Sequence, residues 1–220
     1  MLECLCIFNN SDMKELKATP EIENFEGKYI ESGMVGQKLV EGYFNSISKL
    51  LHKIPKGDIK SALEIGAGAG HSSVRLIEML GTKVQFQASE YVPKLVTQLK
   101  EKLPTNTQVI QESVYELQRE DDSIDLVFLL EVLEHLDYPV DALQEIKRVG
   151  KFLILGVPRE PIWRILNMTR LKYLRDLGNT PGHFNHWSRN GVVKFVEQHY
   201  GEVIAIENPL PWTLLLAKRR

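Results

Sequence analysis

The chain has 220 residues, 43% hydrophobic and 25% charged, which excludes a disordered or fibrous protein and fits one large domain. Its 27 basic and 29 acidic side chains leave a net charge of −2, so a broad phosphate-neutralising surface is not expected. The two cysteines, Cys4 and Cys6, can neither staple a core of this size nor complete a four-thiolate zinc site. The opening residues lack the basic flank and apolar length of a secretory signal, and no apolar run is long enough to span a membrane. The expectation is a cytoplasmic protein with reduced thiols and no membrane association.

Val35, Leu39, Val40, Tyr43, Ile47, Leu50 and Leu51 recur at helical spacing and predict an amphipathic helix lying on the main domain. Strand-like and helix-like runs then alternate. A strand over 60–65 leads into glycines, and a helix through Val74, Ile77 and Leu80 is closed by Gly81. Val84 and Phe86 mark a second strand, residues 93–102 a second helix with Pro93 in its first turn, and Val109 and Ile110 a third strand. Residues 124–130 are apolar apart from Asp125, as in a strand buried on both faces. Ala142, Leu143, Ile146 and Val149 form one helical face stopped by Gly150, and a fifth strand over 152–157 ends at Pro158. This alternation implies βαβ units and a parallel sheet.

Ser188 reads as the N-cap of a helix carrying Val192, Val193, Phe195 and Val196. Two more strands, 202–207 and 212–217, are joined by Asn208-Pro209-Leu210-Pro211. That link is too short for a crossover helix, so the last strand is expected to run antiparallel.

The sharpest local signal is Glu64-Ile65-Gly66-Ala67-Gly68-Ala69-Gly70-His71. Glycines between a strand and a helix let the backbone turn tightly and approach a ligand, and the helix start presents unpaired N–H groups. The dinucleotide fingerprint would place its third glycine at position 71, where His71 stands. Glu90 ends the second strand twenty positions beyond Gly70, where an acid can accept hydrogen bonds from both ribose hydroxyls of a nucleoside. A carboxylate at Glu64 beside the loop repels a diphosphate and attracts an ammonium, which favours a zwitterionic ligand.

At these residues the sequence resembles the class I S-adenosylmethionine-dependent methyltransferases, in particular those that methylate small molecules. The likeness runs from about Ser61 to the C-terminus. Glu64-x-Gly66-x-Gly68-x-Gly70 is similar to the family's first motif, and Glu90, followed by Tyr91, to its ribose-binding acid. Glu112-Ser113-Val114 resembles the adenine-contacting segment, with Ser113 standing where an acidic or amide side chain is usual. Asp125-Leu126-Val127 through Leu130-Glu131 to Glu134-His135 resembles the fourth motif.

The resemblance implies an α/β fold: a Rossmann-like seven-stranded mixed sheet with the last strand antiparallel and helices on both faces. It implies S-adenosylmethionine as cofactor, held by Glu64, Gly66, Gly68, Gly70, Glu90, Tyr91, Ser113, Val114, Leu130 and Glu131. One domain over 1–220 is expected, with an N-terminal helical cover over 1–55 and a cap inserted over 159–187 after strand five.

That cap is about thirty residues long, well beyond the usual αβ link. It holds Trp163, Tyr173, Phe184 and Trp187 together with Arg159, Arg164, Arg170, Lys172 and Arg175, a set suited to clamping a planar or anionic substrate. His183 and His186 within it are the expected general-base candidates, because imidazole titrates near working pH. Asn185 between them can orient a substrate but not accept its proton. Glu131, Glu134 and His135 fall at i, i+3 and i+4, one face of any helix, and two carboxylates and an imidazole can bind Mg²⁺ or Zn²⁺. The same letters serve the cofactor pocket in metal-independent relatives, and no metal is expected.

The function expected is methyl transfer to a small-molecule acceptor, at oxygen. The alternatives are a non-catalytic S-adenosylmethionine-binding protein, a metal-assisted RNA methyltransferase and, least favoured by His71, an NAD-dependent oxidoreductase. The sequence assigns no oligomeric state.

Overall fold

The structure, a computed structural model, describes residues 33–220. Cys4, Cys6 and the first 32 residues of the expected cover lie outside the described residues. Seven strands, β1 (Ser61–Ile65), β2 (Gln85–Glu90), β3 (Gln108–Gln111), β4 (Ile124–Leu130), β5 (Gly150–Pro158), β6 (Gly201–Glu207) and β7 (Trp212–Arg219), form one sheet in the order β3-β2-β1-β4-β5-β7-β6. The first five are mutually parallel, and β7 runs antiparallel to both β5 and β6. The tight Asn208–Pro211 link dictates this ending, as its length predicts.

Period-two alternation along the buried strands sorts their side chains into two cores. Leu63, Ile65, Val127, Leu129, Leu153 and Leu155 face helices α4 (Pro139–Val149) and α6 (Arg189–His199). Ala62, Leu126, Phe128, Phe152 and Ile154 face α1 (Met34–Leu51), α2 (His71–Leu80) and α3 (Pro93–Lys102). Covering on both faces explains why residues 124–130 read as one apolar run. The exception, Asp125, accepts hydrogen bonds from the Lys60 and Ser61 N–H groups (2.8 and 3.0 Å) and fixes the entry into β1.

The expected apolar stripe of α1 is used from its second turn onward. Tyr43, Ile47 and Leu50 are buried, Val40 and Leu51 pack partly buried against the same core, and Val35 is exposed. The helix is 18 residues long, about 27 Å, and its first turn stands off the sheet.

The chain builds outward from β1 to β3 and then returns to β4, so a crevice opens beyond the C-terminal ends of β1 and β4. Over the neighbouring end of β5 sits the cap, whose one regular α-helix is α5 (Ile162–Thr169). Its two ends are tied together, because the Glu160 N–H donates to the Trp187 carbonyl at 2.9 Å beside the Arg159–Trp187 bridge. Ser188 caps α6 as its position predicts, its Oγ accepting from the Gly191 N–H at 3.1 Å.

Candidate active site

The loop between β1 and α2 turns on positive φ values, +69° at Gly66 and +56° at Gly68. A side chain at Gly66 would meet Val132 Cγ2 at 2.6 Å, so this glycine lets the loop pack on the chain leaving β4. A Cβ at Gly68 would meet nothing within 4 Å, which leaves that side of the loop open to a ligand. Gly70 caps α2, and His71 is the first helical residue, so the position that a dinucleotide site gives to its third glycine here starts a helix.

Glu90 is buried at the end of β2, and its carboxylate organises the loop directly. Its Oε2 accepts from the Gly68 N–H at 2.8 Å, and its Oε1 accepts from the N–H groups of Tyr91 and Val92 at 2.8 and 3.0 Å. Burial pushes its pKa upward, against those three N–H groups, which favour the carboxylate. Ser89 beside it is buried, and its Oγ has no partner among the described residues.

Glu64 lies deeper, 1% exposed under the loop. Ser73 Oγ, in the first turn of α2, donates to its Oε2 at 2.5 Å. Sequence reading passed over Ser73; a serine two residues into the helix after the glycines was the available signal. Burial lifts the Glu64 carboxyl from 4.5 to about 7, with Glu90 adding to the rise and Ser72 and Ser73 opposing it. Between those two pH values the native chain keeps a proton that the unfolded chain has released, so stability falls as pH rises through this window. The expected loss is about 2–3 kcal/mol between pH 4.5 and 8. Urea unfolding of the wild type and of Glu64→Gln across that range checks this. The glutamine variant should lack this part of the slope, and equal slopes would remove Glu64 as its source.

Beyond β3, Ser113 and Val114 are buried in a turn closed by the Glu116 N–H donating to the Ser113 carbonyl at 3.1 Å. Ser113 Oγ accepts from the Tyr115 N–H at 3.3 Å, so the hydroxyl already helps to shape that turn. The whole 112–119 loop is pinned by a buried ion pair between Glu112 and Arg119 at 2.7 Å. Tyr91, Leu130 and Glu131 are all half-buried. Glu131 adopts a left-handed conformation, φ +55°, and its N–H donates to the Gly156 carbonyl at 2.9 Å. This breaks the expected set of Glu131, Glu134 and His135 on one helical face. Glu131 precedes the 3₁₀ turn Leu133–His135, which alone carries the other two.

The cap supplies what that turn lacks. The N–H groups of Phe184 and Asn185 donate to the Glu134 carbonyl, at 2.9 and 3.0 Å. The Asn185 amide donates to the carbonyls of Leu133 and Leu136, at 3.2 and 2.7 Å, so it clamps the turn rather than facing a substrate. This docking sets His183, 4% exposed, edge-on to His135 with ring centroids 4.8 Å apart. One ligating atom each from Glu134, His135 and His183 lie within 4.8 Å of one another.

A continuous row of rings leads away from that cluster. His183 stacks on Trp163 at 5.9 Å, Trp163 meets Trp212 at 6.1 Å, and Trp212 meets Tyr43 at 5.0 Å. Trp163 Nε1 donates to Thr180 Oγ1 at 2.9 Å, and the same oxygen accepts from Asn167 Nδ2 at 3.2 Å, so α5 is locked to the loop that carries His183.

His186 is held elsewhere. Its Nε2 lies between Arg164 Nη2 (2.7 Å) and Asn179 Oδ1 (2.8 Å), and burial together with the Arg164 charge lowers its pKa against the pull of Glu160. Arg164 also faces Glu160 at 3.6 Å, so this guanidinium is tied into the cap. Leu171, Leu174 and Leu177 of the cap are exposed. Among the described residues, no helix is long and apolar enough to cross a membrane.

Comparison with known proteins agrees with this geometry. Residues 63–152 match the family described as "Methyltransferase domain". No curated protein sequence is significantly similar to the chain. Among solved structures, a SAM-dependent methyltransferase from Aquifex aeolicus is similar with TM-score 0.62 and 22% identity, covering 78% of this chain and 88% of that one. The PH0226 protein from Pyrococcus horikoshii OT3 gives TM-score 0.66 and 16% identity over 90% and 97% of the two chains. Magnesium protoporphyrin IX methyltransferase from Synechocystis PCC 6803, solved with bound SAH, gives 0.62 and 16% over 86% and 89%.

The fold and the matched segment define a methyltransferase domain over residues 63–152. The matched residues carry the first four strands of the seven-stranded sheet, which the chain closes with an antiparallel last strand. The chain's residues fit S-adenosylmethionine: the loop is open at Gly68, Glu64 lies beneath it, and Glu90 holds it from the end of β2.

Proposed function

We propose that the acceptor is a small molecule carrying a hydroxyl group, methylated at oxygen beneath the cap. The ring row from Tyr43 to His135 carries this reading: it ends on a largely buried group of proton-accepting side chains, Glu134, His135 and His183. Glu134 and His183 are nearly inaccessible, so whatever reacts there must reach under the cap, which suits a small planar molecule. The net charge of −2 supports a small acceptor over a nucleic acid.

In this reading Glu90, the glycine loop, Glu64, Ser113 and Val114 hold the cofactor, and Tyr91, Leu130 and Glu131 line its pocket. Bound S-adenosylmethionine supplies a methyl group on a sulfonium; the C–S electron pair stays on sulfur as a C–O bond forms. The chain's task is alignment and exclusion of water. The ring row orients the acceptor, and the hydroxyl proton passes to the Glu134–His135–His183 cluster and from there to solvent. His186, tied to Arg164 and Asn179, shapes the cap.

A panel of phenolic and aliphatic alcohols, assayed for S-adenosylhomocysteine release and for the methylated product, tests this. With a competent acceptor, His183→Ala is expected to lower kcat about 100-fold, within the range for a lost proton acceptor, while the S-adenosylhomocysteine Kd holds. His186→Ala should cost several-fold at most. Methylation only at nitrogen, only on RNA, or undiminished in His183→Ala would overturn the proposal.

A further inference from the structure

We propose that Glu134, His135 and His183 form a binding site for a divalent transition-metal cation of the zinc, cobalt and nickel type. This deepens the functional reading above by putting a cation, with water as the proton acceptor, where that reading has the side chains take the proton. It rests on that reading only for which oxygen the cation would meet.

The ligand chemistry is the first argument. Two imidazoles and one carboxylate are the donor set that such cations take, whereas Mg²⁺ prefers oxygen alone. The spacing is the second. Ligand atoms about 2.0–2.2 Å from one ion stand roughly 3–4 Å apart, and the three here lie within 4.8 Å of one another. Small side-chain rotations close that difference.

The third argument is the outer shell. His135 Nδ1 lies 3.0 Å from the Gly182 carbonyl oxygen, which can only accept, so Nδ1 carries the hydrogen and Nε2 carries the lone pair. A ring nitrogen donating to a backbone carbonyl is how proteins orient a ligating histidine. Gly182 adopts φ +84°, a conformation that favours glycine, as its carbonyl accepts from His135.

Preorganisation is the fourth. The ligands come from two segments 47 residues apart, and the backbone around one is hydrogen-bonded to the backbone around the other. Phe184 and Asn185 donate to the carbonyl of Glu134 itself, and Asn185 clamps the carbonyls on either side of it. The cap therefore holds His183 over the turn before any ion arrives.

Three protein ligands leave a coordination position open. Val132 packs against Gly66, which puts the turn directly after the cofactor loop, so an acceptor hydroxyl entering from the crevice can take that position. Coordination there makes its proton easier to lose to water, and the oxygen is left as the nucleophile.

Titration of the metal-stripped full chain with Co²⁺, followed by visible absorption and by calorimetry, tests the site. The same samples are titrated with S-adenosylhomocysteine. The expected result is one Co²⁺ per chain with bands of oxygen and nitrogen ligation, displaced by Zn²⁺ and not by equimolar Mg²⁺. A Cys4→Ser/Cys6→Ser variant should retain it. Glu134→Gln and His183→Ala should each weaken it at least 30-fold while S-adenosylhomocysteine still binds, which also reports that the variants are folded. Absence of saturable Co²⁺ binding in the wild type, or equal binding in both variants, overturns the metal site and leaves a proton-sharing cluster. Loss of S-adenosylhomocysteine binding in the wild type would strike the cofactor reading instead.

Discussion

Replacement of Glu90 by alanine is expected to weaken S-adenosylhomocysteine binding by at least about tenfold and to lower folding stability by about 3–5 kcal/mol. The second effect arises because the carboxylate serves three backbone N–H groups, those of Gly68, Tyr91 and Val92, at 2.8–3.0 Å. Alanine leaves three inward-facing donors without a partner, each costing about 1–3 kcal/mol, reduced where water can enter. The affinity falls for two reasons. Any bond from the carboxylate to the cofactor goes, worth at least ~1–3 kcal/mol when charged, and the Gly68 N–H loses the anchor that shapes the loop. Calorimetric titration with S-adenosylhomocysteine, with NADH as the control, measures the first effect and urea unfolding the second. Glu90→Gln, which keeps one oxygen acceptor, should fall between. Binding within threefold of wild type in Glu90→Ala would show that the cofactor lies elsewhere.

Arg119→Ala should cost about 3–5 kcal/mol, because it leaves a buried carboxylate uncompensated. The side chains of Glu112 and Arg119 are 0% and 6% exposed, and Glu112 Oε2 also accepts from the Gln118 N–H at 2.9 Å. The pair closes the loop that carries Ser113 and Val114. Arg148 supports the same loop from α4, donating to the Leu117 and Arg119 carbonyls at 3.0 and 2.7 Å. For a domain of this size such a loss lowers Tm by about 10 °C. The double variant Glu112→Met/Arg119→Met removes both charges and should recover most of the loss, as apolar replacements of buried pairs do. A single variant as stable as wild type would mean that water reaches Glu112.

Strand periodicity carried nearly all of the fold. Residues 124–130 and 152–157 announced the buried centre of the sheet because a strand covered on both faces has no solvent side to mark with polar residues. The antiparallel ending followed from chain length alone, since four residues cannot cross a sheet. The α1 stripe was less reliable: its apolar spacing continues through Val35, yet the helix outruns the sheet that it covers. Glu64, Gly66, Gly68 and Glu90 were legible because a loop that bends between strand and helix requires particular residues at fixed spacing. Ser73 was not, because nothing local distinguishes a serine facing a buried acid from one facing water.

The sequence by itself determined the strand–helix alternation, the glycine loop and the acids that flank it. These depend on contacts between chain neighbours or on periodic burial. Tertiary structure decided the rest. It separated His183 from His186, removed Glu131 from the side chains of Glu134 and His135, and turned Asn185 into a clamp. Each outcome depends on how the cap docks on the turn after β4, across some fifty residues of chain. Its hydrogen bonds run largely through backbone carbonyls, which every residue has, so no pattern of side chains could announce them.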